Sequence, residues 1–169
     1  MKSEELKNLQ APLKDKYRER PETAVITLRA EGKIGEGISC KLGTGRALVE
    51  AGLHPATGGD GMLACSGDLL LEALVACAGV TLRAVSTAIG IEIRDGLIKA
   101  EGDLDFRGTL GVSKDAPVGF KSIRLGFILD SEASAEQLQT LAQLTERYCV
   151  VYQTLTKGVM VETSYKTNL

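Results

Sequence analysis

From Asp68 to Ile89 the chain can form one helix whose apolar residues cover most of its circumference. The run Leu69-Leu70-Leu71-Glu72-Ala73-Leu74-Val75-Ala76-Cys77 is interrupted only by Glu72. A helix that is apolar all round has to be enclosed, so the remaining chain is expected to supply sheet and helix that cover it. Asp68 is a good N-cap for it, and Gly90 suits its end. The stretch Leu69 to Leu82 falls short of the roughly 20 apolar residues that a bilayer span needs, so a buried helix and no membrane partner are expected. Cys77 lies in the middle of this helix.

Upstream the apolar period changes to two. Ala24, Ile26, Leu28 and Ala30 alternate with Val25, Thr27 and Arg29, the pattern of a half-buried strand. Glu31 to Gly37 reads as a turn, and short strands over 38–42 and 46–50 complete an antiparallel meander. His54 to Gly61 is a glycine-rich loop. Strands are expected again over 97–106 and 122–130. Ser134 with Gln137 has the form of a capping box opening a helix that reaches Arg147 or beyond and carries Cys149. Val159 to Tyr165 reads as a closing strand. The order of elements predicts an α+β fold, an antiparallel sheet wrapped around two central helices. Residues 1–22 are expected to form an N-terminal helical arm and 23–169 the domain proper.

A chain of 169 residues with 44% hydrophobic and 25% charged residues is long enough to bury one core. Its formal charge of −2 gives no general attraction for nucleic acid or anionic membrane, so neither is expected as a partner. The charged start, Met1-Lys2-Ser3-Glu4-Glu5, lacks the apolar stretch of a secretion signal, which makes the cytoplasm the expected compartment. Cys40, Cys65, Cys77 and Cys149 contain no Cys-x-x-Cys, and His54 is the single histidine. No metal and no cofactor are therefore expected. Cys40 reads as strand packing, Cys65 as a loop thiol or an alternative resolver, and His54 as a loop residue. Arg83, mid-helix, needs a partner, either Glu72 or a second chain. Cys77 and Cys149, 72 residues apart, can meet only through the fold.

Two segments carry a family resemblance. Gly58-Gly59-Asp60-Gly61 followed by Ser66-Gly67-Asp68-Leu69-Leu70-Leu71-Glu72-Ala73-Leu74-Val75-Ala76-Cys77 resembles the glycine-rich loop and cysteine helix of the OsmC/Ohr proteins, the osmotically inducible and organic hydroperoxide resistance family. Arg147-Tyr148-Cys149-Val150-Val151 resembles that family's second cysteine element. The resemblance covers about 24–165. It implies an intertwined homodimer with sites at its interface. It also implies reduction of small organic hydroperoxides, with Cys77 attacking, Cys149 resolving, and an external dithiol resetting the pair. In the family an arginine and a glutamate hold the first cysteine as thiolate. Here Lys33 stands near the arginine position, and Gly67 or Asp68 near the glutamate position. Val150 follows Cys149 where many relatives have proline.

The chemistry requires a thiolate, since a free thiol with a pKa of about 8.5 is mostly protonated at neutral pH. Leu70, Ala73, Leu74, Thr81 and Ala84 share the helical face of Cys77, and apolar surroundings alone would raise its pKa. Activation is thus expected from off that face, from Lys33 or Arg29 with Asp68 orienting the cation. Glu72 points away from Cys77 on an ideal helix. Two other functions fit the same residues: a non-peroxidatic protein holding a small ligand in an apolar pocket, and a thiol-disulfide exchange protein.

Overall fold

The long apolar segment forms helix α1, Ser66–Ile89, around which the other elements are arranged. The structure is a computed structural model describing residues 2–5, 8, 11, 19–20, 31–34, 39–43, 48–111 and 113–167, with side chains described outside 31–34, 39–43 and 48. The expected strand over 24–30, with Arg29, and most of the expected N-terminal arm lie outside these residues. Strands β1 (Glu31–Ile34), β2 (Ser39–Gly43) and β3 (Leu48–Gly52) form an antiparallel meander, and the two-residue β4 (Ala64–Cys65) pairs parallel with β3. Lys33 therefore stands in a strand, opposite Lys41, and not in the turn expected over 31–37. Pairing with β2 overrides the weak strand preference of a glycine-rich segment.

A second sheet pairs β5 (Asp95–Leu104) with β6 (Phe120–Asp130) in antiparallel register, shifted at Asp103/Leu104. A single-turn helix, α2 (Phe106–Thr109), lies between them in sequence. Alternation divides the β5–β6 sheet by face. Ile98, Ala100, Ile123, Leu125 and Phe127 turn toward α1 and the cysteines. Glu101, Asp103 and Arg124 form ion pairs on the other face. Helices α3 (Ala135–Tyr148) and α4 (Val150–Lys157) complete the fold. The capping box at the start of α3 has both its bonds: Ser134 Oγ accepts from Gln137 N–H at 3.2 Å, and the Gln137 side chain accepts from Ser134 N–H at 2.8 Å.

The core is a helix crossing read at a spacing of four. Leu74, Ala78, Leu82 and Ser86 form the buried stripe of α1, and Leu141, Thr145 and Cys149 form the facing stripe. The two buried hydroxyls are satisfied locally: Thr145 Oγ1 donates to the Leu141 carbonyl at 2.8 Å and Ser86 Oγ to that of Arg83 at 3.0 Å. Arg83 reaches across to the loop before β5, donating to the Ile93 carbonyl at 2.7 Å; within this chain its partner is backbone and not Glu72.

Three expectations change here. At 24 residues α1 is long and apolar enough, by length and composition, to cross a bilayer, whereas the run counted from sequence was shorter. Within this chain it packs on α3, α4 and β5. It is also not enclosed: Ala73, Ala76 and Val80 face outward, Val80 with 73% of its surface exposed. Finally, 158–167 form no strand, and Val159, Met160, Val161 and Tyr165 lie exposed. A strand needs a ladder partner, and within the described residues this segment has none.

Candidate active site

The α1 stripe and the end of α3 bring Cys77 and Cys149 together. Cys149 is fully buried with Leu74 and Ala78, and Cys77 packs against the same cluster, half-buried one helical position away. The two thiols act on each other's ionisation.

Cys149 does not lie within a helix, as the sequence pattern suggested. It is the junction between α3 and α4, with φ −74° and ψ 113°, an extended conformation. It serves as C-cap of one helix and N-cap of the next: its N–H donates to the Thr145 carbonyl at 2.9 Å, and its sulfur accepts from Tyr152 N–H at 3.5 Å. The β-branched pair Val150-Val151 was the one sequence signal for a break, since such residues lose side-chain freedom in a helix interior.

The two thiols are driven in opposite directions. Burial pushes the Cys77 thiol up, but the backbone N–H of Val151, the thiol of Cys149, the N–H of Val150 and the hydroxyl of Thr81 outweigh it, leaving its pKa below the ordinary value. Burial pushes the Cys149 thiol up as well, and although Tyr152 N–H opposes this, the neighbouring Cys77 adds to the rise. Beside the pair, Tyr152 Oη donates to Glu146 Oε2 at 3.4 Å; burial and that carboxylate raise the phenol's pKa. The amides of Val150 and Val151 were not among the sequence candidates, and Thr81 entered only as a residue on the same face.

The other candidates stand elsewhere. Asp68 is in the first turn of α1 and is not its N-cap; that position belongs to Cys65, which makes no side-chain cap bond. Nine residues separate Asp68 from Cys77, about 13 Å along the axis, so the structure does not bring its carboxylate to that thiol within one chain. It lines a cleft of about 360 Å³ with His54, Cys65 and Phe106. His54 Nδ1 accepts from Ala56 N–H at 3.0 Å and its ring stacks on Phe106 at 5.0 Å. Lys33 is placed by its backbone in β1; its side chain and Cys40's are outside the described atoms.

A cavity of about 400 Å³ adjoins the thiol pair. Leu74, Ile123, Leu125 and Tyr152 line it and also pack on the cysteine cluster. Lys121 and Glu146 bring charge to its wall.

The same arrangement of elements occurs in solved structures. An OsmC-like protein from Mycoplasma pneumoniae superposes with a TM-score of 0.66 at 19% identity, covering 79% of this chain and 89% of that one. An organic hydroperoxide resistance protein OsmC from Legionella pneumophila gives 0.62 at 16% identity over 78% and 90%. The organic hydroperoxide resistance protein OhrB of Bacillus subtilis gives 0.53 at 20% over 79% and 92%. At these identities the likeness establishes the fold. No curated protein sequence matches the chain significantly. The family model for OsmC-like proteins matches residues 59–164, from the glycine-rich loop through both cysteines, and the chain therefore belongs to the OsmC-like protein family.

Proposed function

We propose that this protein reduces organic hydroperoxides to alcohols, with Cys77 as the peroxidatic and Cys149 as the resolving cysteine. One observation carries the reading: two thiols from distant parts of the chain pack in one cluster, one with a lowered and the other with a raised pKa. The lowered pKa of Cys77 suits the first step, because the attacking sulfur must be ionised. Family membership and the hydroperoxide resistance named for similar structures support a role in oxidative stress.

In the proposed cycle the Cys77 thiolate attacks the terminal peroxide oxygen. An S–O bond forms, the O–O bond breaks, and the departing alkoxide takes a proton to become the alcohol. The Cys149 sulfur then attacks the resulting sulfenic acid, releasing water and forming the disulfide. An external dithiol returns two electrons and two protons. The apolar wall of the adjoining cavity favours a substrate with hydrocarbon to bury over hydrogen peroxide.

Val80, Ala73 and Ala76 on α1, with the exposed extended segment 158–167, support a homodimer in which a second copy covers these surfaces. The cytoplasm remains the compartment that fits two free thiols in contact. The cavity also supports the alternative of a ligand-binding protein without turnover. Stopped-flow mixing of reduced protein with cumene hydroperoxide and with hydrogen peroxide separates the readings: the peroxidase oxidises faster with the former, and Cys77→Ser does not react. Binding without oxidation would establish the alternative.

A further inference from the structure

Resting on the reading of Cys149 as the resolving cysteine, we propose that Gln153 is a positioning residue for disulfide closure. Its side-chain amide ties α4 back to α3 and holds Cys149 at the angle from which its sulfur meets Cys77. The helical path breaks at a single residue, Cys149, which stands extended between the two helices at φ −74° and ψ 113°. In an uninterrupted helix the Glu146 carbonyl would accept from the N–H four residues on, that of Val150. With Cys149 extended, that carbonyl accepts instead from Gln153 Nε2 at 2.8 Å. The bond links residues seven apart and spans the break, from the last turn of α3 to the first turn of α4.

The other bonds at the junction cannot do the same work through the reaction. Tyr152 N–H donates to the Cys149 sulfur at 3.5 Å, and that sulfur is the atom that has to turn to Cys77. Cys149 N–H donates to the Thr145 carbonyl and Gln153 N–H to the Cys149 carbonyl, both at 2.9 Å; the first closes α3, the second opens α4, and neither crosses from one helix to the other. Tyr152 Oη reaches Glu146 Oε2 at 3.4 Å, long for an O–H donor. Gln153 thus supplies a short tie across the break that uses neither reacting sulfur. Closure needs such a tie, because a disulfide forms only with the two Cβ atoms about 3.5–4.5 Å apart. Cys149 is fully buried with Leu74 and Ala78, and Cys77 packs on the same cluster, so the two side chains start as neighbours. A change in the angle between α3 and α4 turns the Cys149 Cβ away from α1.

The test is the reaction of the reduced full-length protein with methyl methanethiosulfonate, acid-quenched at successive times and read by peptide mass. The Cys77 thiolate displaces methanesulfinate and becomes a methyl disulfide. The Cys149 sulfur then attacks the Cys77 sulfur: the Cys77–Cys149 bond forms, the bond to the methylthio group breaks, and methanethiol leaves with the Cys149 proton. This second step matches closure on a sulfenic acid, with methanethiol leaving in place of water. Gln153→Met keeps the side chain's length and removes its donor. The expected result is an unchanged rate of methyl disulfide formation on Cys77 and a closure slowed roughly ten- to a hundredfold, the scale on which misplaced reacting atoms lose rate. Ser134→Ala, at the far end of α3, should leave both steps at their wild-type rates. Should Gln153→Met fail to fold, as judged by circular dichroism, Gln153→Asn, whose amide stops one methylene short, takes its place with the same expectation. Closure at the wild-type rate, or both steps changed alike as a general loosening would give, would overturn the proposal. A wild type whose methyl disulfide never closes would overturn it together with the resolving role of Cys149. Slowed closure in a protein that consumes no hydroperoxide would retain this inference and remove the peroxidase reading.

Discussion

Cys77 packs into the cluster that buries Cys149, and that pairing orders the chemistry of the site. It stabilises the thiolate on Cys77 while keeping the proton on its partner. An alkylating agent should therefore find the two cysteines in sequence. Near neutral pH, Cys77 is modified first and Cys149, buried and with a raised pKa, only slowly. Time-resolved peptide mass spectrometry checks this order, and equal rates would contradict it.

Separating the two roles requires removing the second sulfur while keeping its structural task. Cys149→Ser retains an N-cap side chain at the start of α4. This variant is expected to react once with cumene hydroperoxide and stop as a sulfenic acid, detected as a dimedone adduct on Cys77. Wild type treated alike should give little adduct, because the disulfide forms first.

The opposed pKa shifts also couple the site to stability. Cys77, depressed in the folded state, contributes stability that is present above its unfolded pKa of about 8.5 and is lost as pH falls through the lower folded value. Cys149, raised, contributes stability present below the unfolded value and lost as pH rises through the folded one. Urea unfolding should show the advantage of wild type over Cys77→Ser growing with pH up to about 8.5. A pH-independent difference would refute the linkage.

Much of this arrangement is legible in the sequence where one local rule decides the outcome. The run from Leu69 onward announces α1, Gly90 ends it in the left-handed conformation at φ 75°, and Ser134 with Gln137 starts α3. The pattern misleads where a local preference meets a tertiary demand. A spacing of four across Leu141, Thr145 and Cys149 fits a continuous helix, and the break is set by the extended backbone of Cys149. Apolar surroundings on the face of Cys77 implied that a charged side chain had to come from elsewhere. Among the described residues, the groups that lower its pKa include the main-chain amides of Val150 and Val151, and amides are present at every position of a sequence but proline. The outward face of α1 and the unpaired 158–167 reflect another limit: periodicity marks a surface as apolar without saying which chain covers it.

That surface gives a further expectation. Val80→Asp puts a charge on the exposed side of α1, away from the buried stripe of Leu74, Ala78 and Leu82. It is expected to leave the monomer fold intact by circular dichroism and to shift sedimentation from dimer to monomer. A wild-type monomer would contradict the covering copy.

Packing at the helix crossing is tested separately. Leu141 is fully buried against Leu82 and Ile93, and Leu141→Ala should cost about 2–5 kcal/mol in urea unfolding. Ser134→Ala, which removes a cap distant from the thiols, should cost about 0.5–2 kcal/mol and leave the alkylation profile of Cys77 unchanged.

The most direct measurement joins both sulfurs in one product. Reduced protein is treated with one equivalent of cumene hydroperoxide, quenched with an alkylating agent, and analysed by intact mass and by non-reducing peptide mapping. The account predicts the loss of two hydrogens and a single cross-linked peptide joining Cys77 to Cys149. An unchanged mass, or oxidation confined to Cys65 with Cys77 and Cys149 recovered as alkylated thiols, would contradict it.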